Sequence, residues 1–196
     1  MDTRNTANSY GSIAKWLHWT IAIFFLGSYV SVYYRHWFTA EETPENWIAL
    51  QLHLSIGITL AAFIALRILW RITNKTPDLE PGTRLEHLAA HVGHYALYAI
   101  MIIMPITGYI GTSVDTEYFF LFDIPKFETT KLYEVLVTQG MGISFEEFEQ
   151  PIDFIHTNLF GEWIVWLLIL AHVAAALYHH FFKKDKTLIR MTIGNS

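Results

Sequence analysis

The sequence predicts an all-α membrane protein: an antiparallel four-helix transmembrane bundle with N and C termini cytoplasmic. Three observations carry this. Of the 196 residues, 53% are hydrophobic and 16% charged, against roughly 45–50% apolar and about 25% charged in an ordinary soluble domain. Residues 16–34, 46–66, 87–114 and 163–182 hold no Asp, Glu, Lys or Arg, giving neutral stretches of 19, 21, 28 and 20 residues, and a bilayer core needs about 20 helical residues. Ten of the 13 Lys and Arg residues fall in the N-terminal tail, in 67–84 and in the C-terminal tail, which the positive-inside bias assigns to the cytoplasm.

The first span, read as 14–35, is longer than a signal-peptide apolar core of roughly 7–15 residues and no small-residue cleavage site follows it, so it reads as retained. The second span is read as 46–72 and the third as 87–113, where Pro105 and Gly108 predict a local kink that a membrane helix tolerates. The fourth is read as 157–182. Trp47, Tyr118 and Trp163 on the outer side, with Trp16 and Trp70 on the inner, fit interfacial aromatic belts. The connection 115–153 is long for a bundle and is expected to fold as an extracytoplasmic cap. In it Ser144-Phe145-Glu146-Glu147 has the form of a helix-starting capping box. Pro151 is expected to stop that helix. Thr130 to Thr138 reads as a surface helix that lays Leu132, Val135 and Leu136 on the bundle.

The absence of cysteine excludes disulfides, thiolate metal sites, iron–sulfur clusters and covalently attached c-type haem. A net charge of −5 without a basic soluble face argues against nucleic acid. Any metal or haem must therefore hang on histidine, of which there are 10. His18, His53, His94 and His172 lie in or at the ends of neutral spans, with His156 just before the last. Ionisable groups in a bundle are costly and usually functional; a single one is as well explained by an interhelical hydrogen bond, but four or five without an acidic partner at their depth point to a shared ligand. His87, His91 and His94 share one helical face at i, i+4 and i+7 and read either as a metal cluster or as a polar interfacial stripe. The deeper histidines form pairs toward opposite membrane sides, His18 with His172 and His53 with His156, as two six-coordinate b-type haems would require.

Tyr10-Gly11-Ser12 leading into AKWLHW around His18, QLHLSIG around His53, RILWR from Arg67 to Arg71, GHYALY from Gly93 and HVAAALYHHF from His172 resemble the bacterial cytochrome b561 family. The resemblance covers nearly the whole chain except 115–153. It implies an inner-membrane protein carrying two haems b, with His18 and His172 as axial ligands of the inner haem iron and His53 and His156 of the outer one. Arg67, Arg71, His179 and His94 would serve propionates or a quinone headgroup, with positive-inside anchoring as the simpler reading of the two arginines and an interfacial role as that of His179. His156 and His172 are 16 positions apart, which on a regular helix leaves them about 160° apart. Either the chain near His156 is not helical, or a bulge takes up the excess, or the outer His36 replaces His156.

Bis-histidine ligation leaves the iron no open position, so electron transfer is the expected work. By the resemblance, electrons pass from a periplasmic-side donor, superoxide in some members, to ubiquinone. The alternative is a carrier subunit exchanging electrons between quinone and a periplasmic redox protein docked on the cap. The cap bears on this choice: 115–153 carries nine acids against Lys126 and Lys131, which repels an anion unless Arg35, Lys126 and Lys131 gather at the haem. A structural or metal-transport bundle without haem is the remaining reading.

Overall fold

A computed structural model of the chain describes residues 2–192. Helix α1 spans Ser12–Phe38, α2 Pro44–Thr73 and α3 Arg84–Gly111. The fourth long helix is continuous over Phe145–Lys183; it starts as α-helix α5 (Phe145–Phe154), widens to a π-helix over Ile155–Ile164, returns as α6 (Val165–Tyr178) and ends in a π-helical turn, His179–Lys183. All four are long and apolar enough to cross a membrane. Only 6% to 17% of each helix's most apolar stretch is buried, so most of that apolar surface faces outward, a state stable in lipid and not in water.

Local chemistry sets the helix starts. Thr43 accepts from the Asn46 N–H at 3.3 Å ahead of Pro44, which is tolerated in the first turn because its missing N–H would have had no partner. Thr83 with Glu86 and Ser144 with Glu147 form complete capping boxes, the second as the sequence predicts. Helix α1 packs chiefly on α2, and α3 on α2 and the fourth helix. The core between α1 and α2 is Ile21, Leu60 and Ile64, closed by Phe24, Phe25 and Phe63.

Several expectations need correction. Pro151 does not stop its helix: it sits inside α5, and its carbonyl accepts from the Ile155 N–H. Its ring costs one backbone bond while its fixed φ remains helical, and the π-helix that follows restores the ladder. The segment after Thr130 is a single α-turn, α4 (Lys131–Tyr133), continued as a π-helix over Glu134–Gln139. Its face is the reverse of the one expected. Leu132, Val135 and Leu136 are each more than half exposed, whereas Tyr133 and Val137 are buried with Phe127 against Tyr109, Ile110, Phe145 and Phe148. The two aromatic anchors, Phe127 and Tyr133, make edge-on contact and fill the space under the cap better than the leucines can. The cap also holds a hairpin that the sequence did not suggest: β1 (Thr116–Tyr118) pairs antiparallel with β2 (Phe122–Ile124).

Candidate functional site

On α2, His53 faces His156 of the π-helical stretch, with ring centroids 6.1 Å apart. On α1, His18 faces His172 of α6 at 6.2 Å. Two metal–imidazole bonds of about 2.0–2.1 Å, with each ring centre about 1.2 Å behind its nitrogen, place centroids about 6.4 Å apart, close to both distances. Both pairs therefore have the spacing of two axial imidazoles on one iron.

The partners of the outer pair leave the right nitrogen free. The Nδ1 of His53 lies 3.2 Å from the Ser28 carbonyl and 3.0 Å from its hydroxyl, so Nδ1 carries the proton and Nε2 is open to a metal. Thr107 donates its hydroxyl to the Ile103 carbonyl at 2.8 Å and so accepts from His156 Nδ1 at 3.0 Å, with the same result. Such orientation of the non-ligating nitrogen is the usual support of metal-bound histidine.

The mismatch in direction between His156 and His172 is absorbed by the π-helix. Its i→i+5 bonds turn the chain less per residue than α-helical bonds do, so His156 reaches α2 while His172 reaches α1 from one unbroken helix. Gly161 lies within this stretch, where a Cβ would stand 2.7 Å from the His156 carbonyl oxygen; its own carbonyl accepts from Tyr29 at 2.8 Å. Gly108 of α3 clears the His156 ring, since a Cβ there would lie 2.9 Å from Cε1. The sequence singled out Gly108, with Pro105, only as the place of a tolerated kink, and α3 is helical through both.

His53 and His156 open into a cavity of about 400 Å³, which Gly57, Pro105 and Gly108 also line. A Cβ at Gly57 would meet nothing within 4 Å, as expected of a wall shaped for a flat group. His36 lines the same cavity, but the ring facing His53 is His156. Of the outer cations, Arg35 lines the cavity together with Glu149, Asp153 and Glu162, whereas Lys126 is paired with Glu128 at 2.6 Å. Neither Lys126 nor Lys131 is among the residues that line the cavity.

At the other end His172 has a second neighbour, His94, at 6.0 Å. Arg67 stacks over Tyr98 at 5.8 Å, and its Nε is buried without a hydrogen-bond partner. An unpaired buried guanidinium nitrogen is costly and suits a carboxylate ligand such as a propionate. Arg71 lies within electrostatic reach of His94. His87, His91 and His94 do not converge: His87 Nε2 is 3.1 Å from the Glu80 carbonyl and His91 Nδ1 2.7 Å from the His87 carbonyl. Among the described residues no cluster of three or more His, Asp and Glu is placed to hold a metal ion.

His179 binds the Asp185 carboxylate through Nδ1. Burial alone would raise the Asp185 carboxyl, but hydrogen bonds with His179 and with the backbone and hydroxyl of Thr187 outweigh it and hold the group below its ordinary range. Arg190, bonded to Glu80 at 2.8 Å and to the Asp78 carbonyl at 2.7 Å, ties the C-terminal segment to the α2–α3 connection. Asp185 was not legible beforehand, because its role depends on the chain turning back at Lys184, which has a left-handed backbone.

Comparison with known proteins agrees with this geometry. Residues 9–194 match the family described as prokaryotic cytochrome b561. The chain is 32% identical to cytochrome b561 homolog 2 of Escherichia coli (strain K12), over 100% of this chain and 97% of that protein. It is 26% identical to cytochrome b561 homolog 1 of the same organism, over 94% and 97%. It is also 24% identical to a protein of Yersinia pestis named "probable superoxide oxidase CybB", over 93% and 94%. With two facing histidine pairs inside a four-helix membrane bundle and a match over most of its length, the chain belongs to the prokaryotic cytochrome b561 family, multi-pass bacterial membrane proteins that bind haem b and transfer electrons.

Proposed function

We propose that the protein carries two haems b in the bacterial inner membrane and passes electrons from a donor on the cap side, superoxide, to ubiquinone at the end carrying the chain termini. The observation that carries this reading is the two facing histidine couples at 6.1 and 6.2 Å, each with one member, His156 or His172, on the same continuous helix. In the proposal His53 and His156 hold the outer group, and His18 and His172 the inner one. The distribution of Lys and Arg, which puts the termini in the cytoplasm, supports this orientation.

Haem b held by two histidines would supply one-electron transfer rather than oxygen activation at the metal. Two superoxide anions would yield two electrons and two molecules of dioxygen, and one ubiquinone would take up those electrons with two protons. Ser28 and Thr107 hold His53 and His156 in the tautomer that presents Nε2. Arg67, buried and unpaired at Nε, would bind a propionate, and Arg71 and His94 stand beside it. His179, oriented by Asp185, would hand a proton to the quinone oxygen. Arg35 supplies the positive charge at the outer cavity, while the 115–153 stretch around it carries nine acids.

That acidity supports the second reading, a carrier docking a basic periplasmic redox protein. Stopped-flow reduction of purified, quinone-loaded protein by superoxide, with haem quantified by reduced-minus-oxidised spectra, separates the two. Reduction far faster than that of free haem is expected. Reduction no faster than that control would overturn the superoxide reading, and a protein without a b-type spectrum would overturn both.

A further inference from the structure

The β1–β2 hairpin hangs beside α2 rather than standing over the bundle. Gln51 donates to the Asp115 carbonyl at 3.1 Å and accepts from the Glu117 N–H at 2.7 Å. Ser55 accepts from the Phe119 N–H at 2.9 Å. Thr59 gives its proton to the Ser55 carbonyl at 2.8 Å and so accepts from the Tyr118 hydroxyl at 3.0 Å. The three α2 residues are four apart, one stripe of the helix, and Gln51 and Ser55 are fully buried. Polar side chains on a membrane helix that saturate irregular backbone are what such backbone needs in order to lie below the water level.

The depth follows from the same ladder. Trp47, whose ring N–H binds the Glu117 carboxylate at 3.0 Å, stands at the start of the neutral stretch 46–66. Phe119, bonded at Ser55, is eight positions farther along α2, about 12 Å. Glu117 is paired across the hairpin with Asp123, and Tyr118 with Phe122. Below that charged pair the hairpin holds only Tyr118, Phe119, Phe120, Leu121 and Phe122, and it exposes Leu121 by 78% and Phe122 by 56%. Phe119 and Phe120 have left-handed backbone, φ 46° and 61°, a tip conformation ordinarily left to Asn-Gly. Bulky aromatics there are disfavoured, so conformational preference does not explain them and their apolarity does. On the opposite side, Thr116 of β1 lines the outer cavity.

We infer that the hairpin is a membrane-dipping element, its Phe119–Phe122 tip seated in the acyl chains of the cap-side leaflet and its inner face walling the outer cavity from lipid. The occupant of this apolar surface is lipid because the ladder seats the tip beside the uncharged 46–66 stretch of α2, a helix long and apolar enough to cross a membrane. A dip of about 5–10 Å matches that of interfacial apolar faces, and Glu117 and Asp123 stop it from going deeper. The inference rests on membrane topology and not on the identity of the electron donor or acceptor.

The chain has no cysteine, so Leu121→Cys offers one attachment point for a nitroxide, on a side chain exposed enough to leave the fold intact. Haem-loaded, full-length protein is reconstituted in vesicles of phosphatidylethanolamine and phosphatidylglycerol, and the label's collisions with oxygen, which concentrates in acyl chains, and with a water-soluble nickel chelate are compared. Gln139→Cys, exposed on the cap, is the aqueous reference. The expected result is an oxygen-to-nickel ratio several-fold higher at position 121 than at 139. A ratio equal to that of 139 overturns the inference, because the tip is then in water. A label shielded from both reagents also overturns it, in favour of contact with a second copy or another protein.

Discussion

Gly108 bears directly on the His156 ring, and adding one methyl group there has a calculable effect. A Cβ at 108 would stand 2.9 Å from His156 Cε1, where ordinary contact begins at 3.4 Å, so the ring must retreat by about 0.5 Å. The retreat is opposed by the Thr107 hydrogen bond, now 3.0 Å, which reaches the limit of a useful hydrogen bond when lengthened by that much. Ligand geometry tolerates about 0.5 Å, and loss of a supporting contact to a ligating histidine costs about 10–100-fold in metal affinity, or about 1.4–2.8 kcal/mol. Gly108→Ala is therefore expected to weaken outer haem retention by that factor and to leave the inner haem unchanged. Gly108→Val, with two more carbons in the same space, is expected to lose half the haem. The assay is haem per protein by pyridine haemochrome, with a redox titration to tell the two centres apart. Gly108→Val protein with two haems and two unaltered potentials would refute the reasoning.

Four further outcomes are expected. His53→Ala should remove one haem and leave the other, and His36→Ala should keep both; the reverse in haem quantitation would move the outer ligand to His36. At the opposite end His18→Ala should lose the inner haem and His94→Ala should retain it, though His94 is as near to His172, and spectra of the two variants decide between them. Arg35→Gln should slow reduction by superoxide in a salt-dependent way, whereas Lys126→Gln should change it little, because Lys126 is already neutralised by Glu128; equal effects in stopped flow would contradict this. A carboxyl lowered in the folded state, as Asp185 is, stabilises the fold above its unfolded value of about 4 and loses that contribution as pH falls through its lowered folded value. The C-terminal segment should therefore become protease-sensitive on acidification, and Asp185→Asn should remove that pH dependence while loosening the segment at neutral pH.

Charge spacing made the four spans legible, because a helix in lipid leaves a long neutral run that few other folds produce. The facing histidine pairs were legible for the same reason, since polar groups so placed need a purpose. The reversed face of the 131–137 segment was not: Tyr133 and Leu132 are both apolar, and only the three-dimensional space beneath the cap selects the aromatic one. The hairpin escaped notice because its strands are three residues each and its tip lacks the Gly or Asn that announces a turn. Nothing in the sequence marks the role of Gln51 and Ser55, since their partners lie more than 60 positions away.

The widened stretch from Ile155 to Ile164 also matters for how such a chain can change. In a uniform helix every inserted residue rotates all that follows by about 100°, so altering the distance between two face-specific positions ruins one of them. A stretch that can pass between the two windings acts as a slip joint, taking up extra length locally as stutters do in coiled coils. Evolution or an engineer could then lengthen or shorten the cap-side half of this helix without re-aiming His172. The cap side of the protein is thereby free to vary while the part facing the chain termini stays in phase.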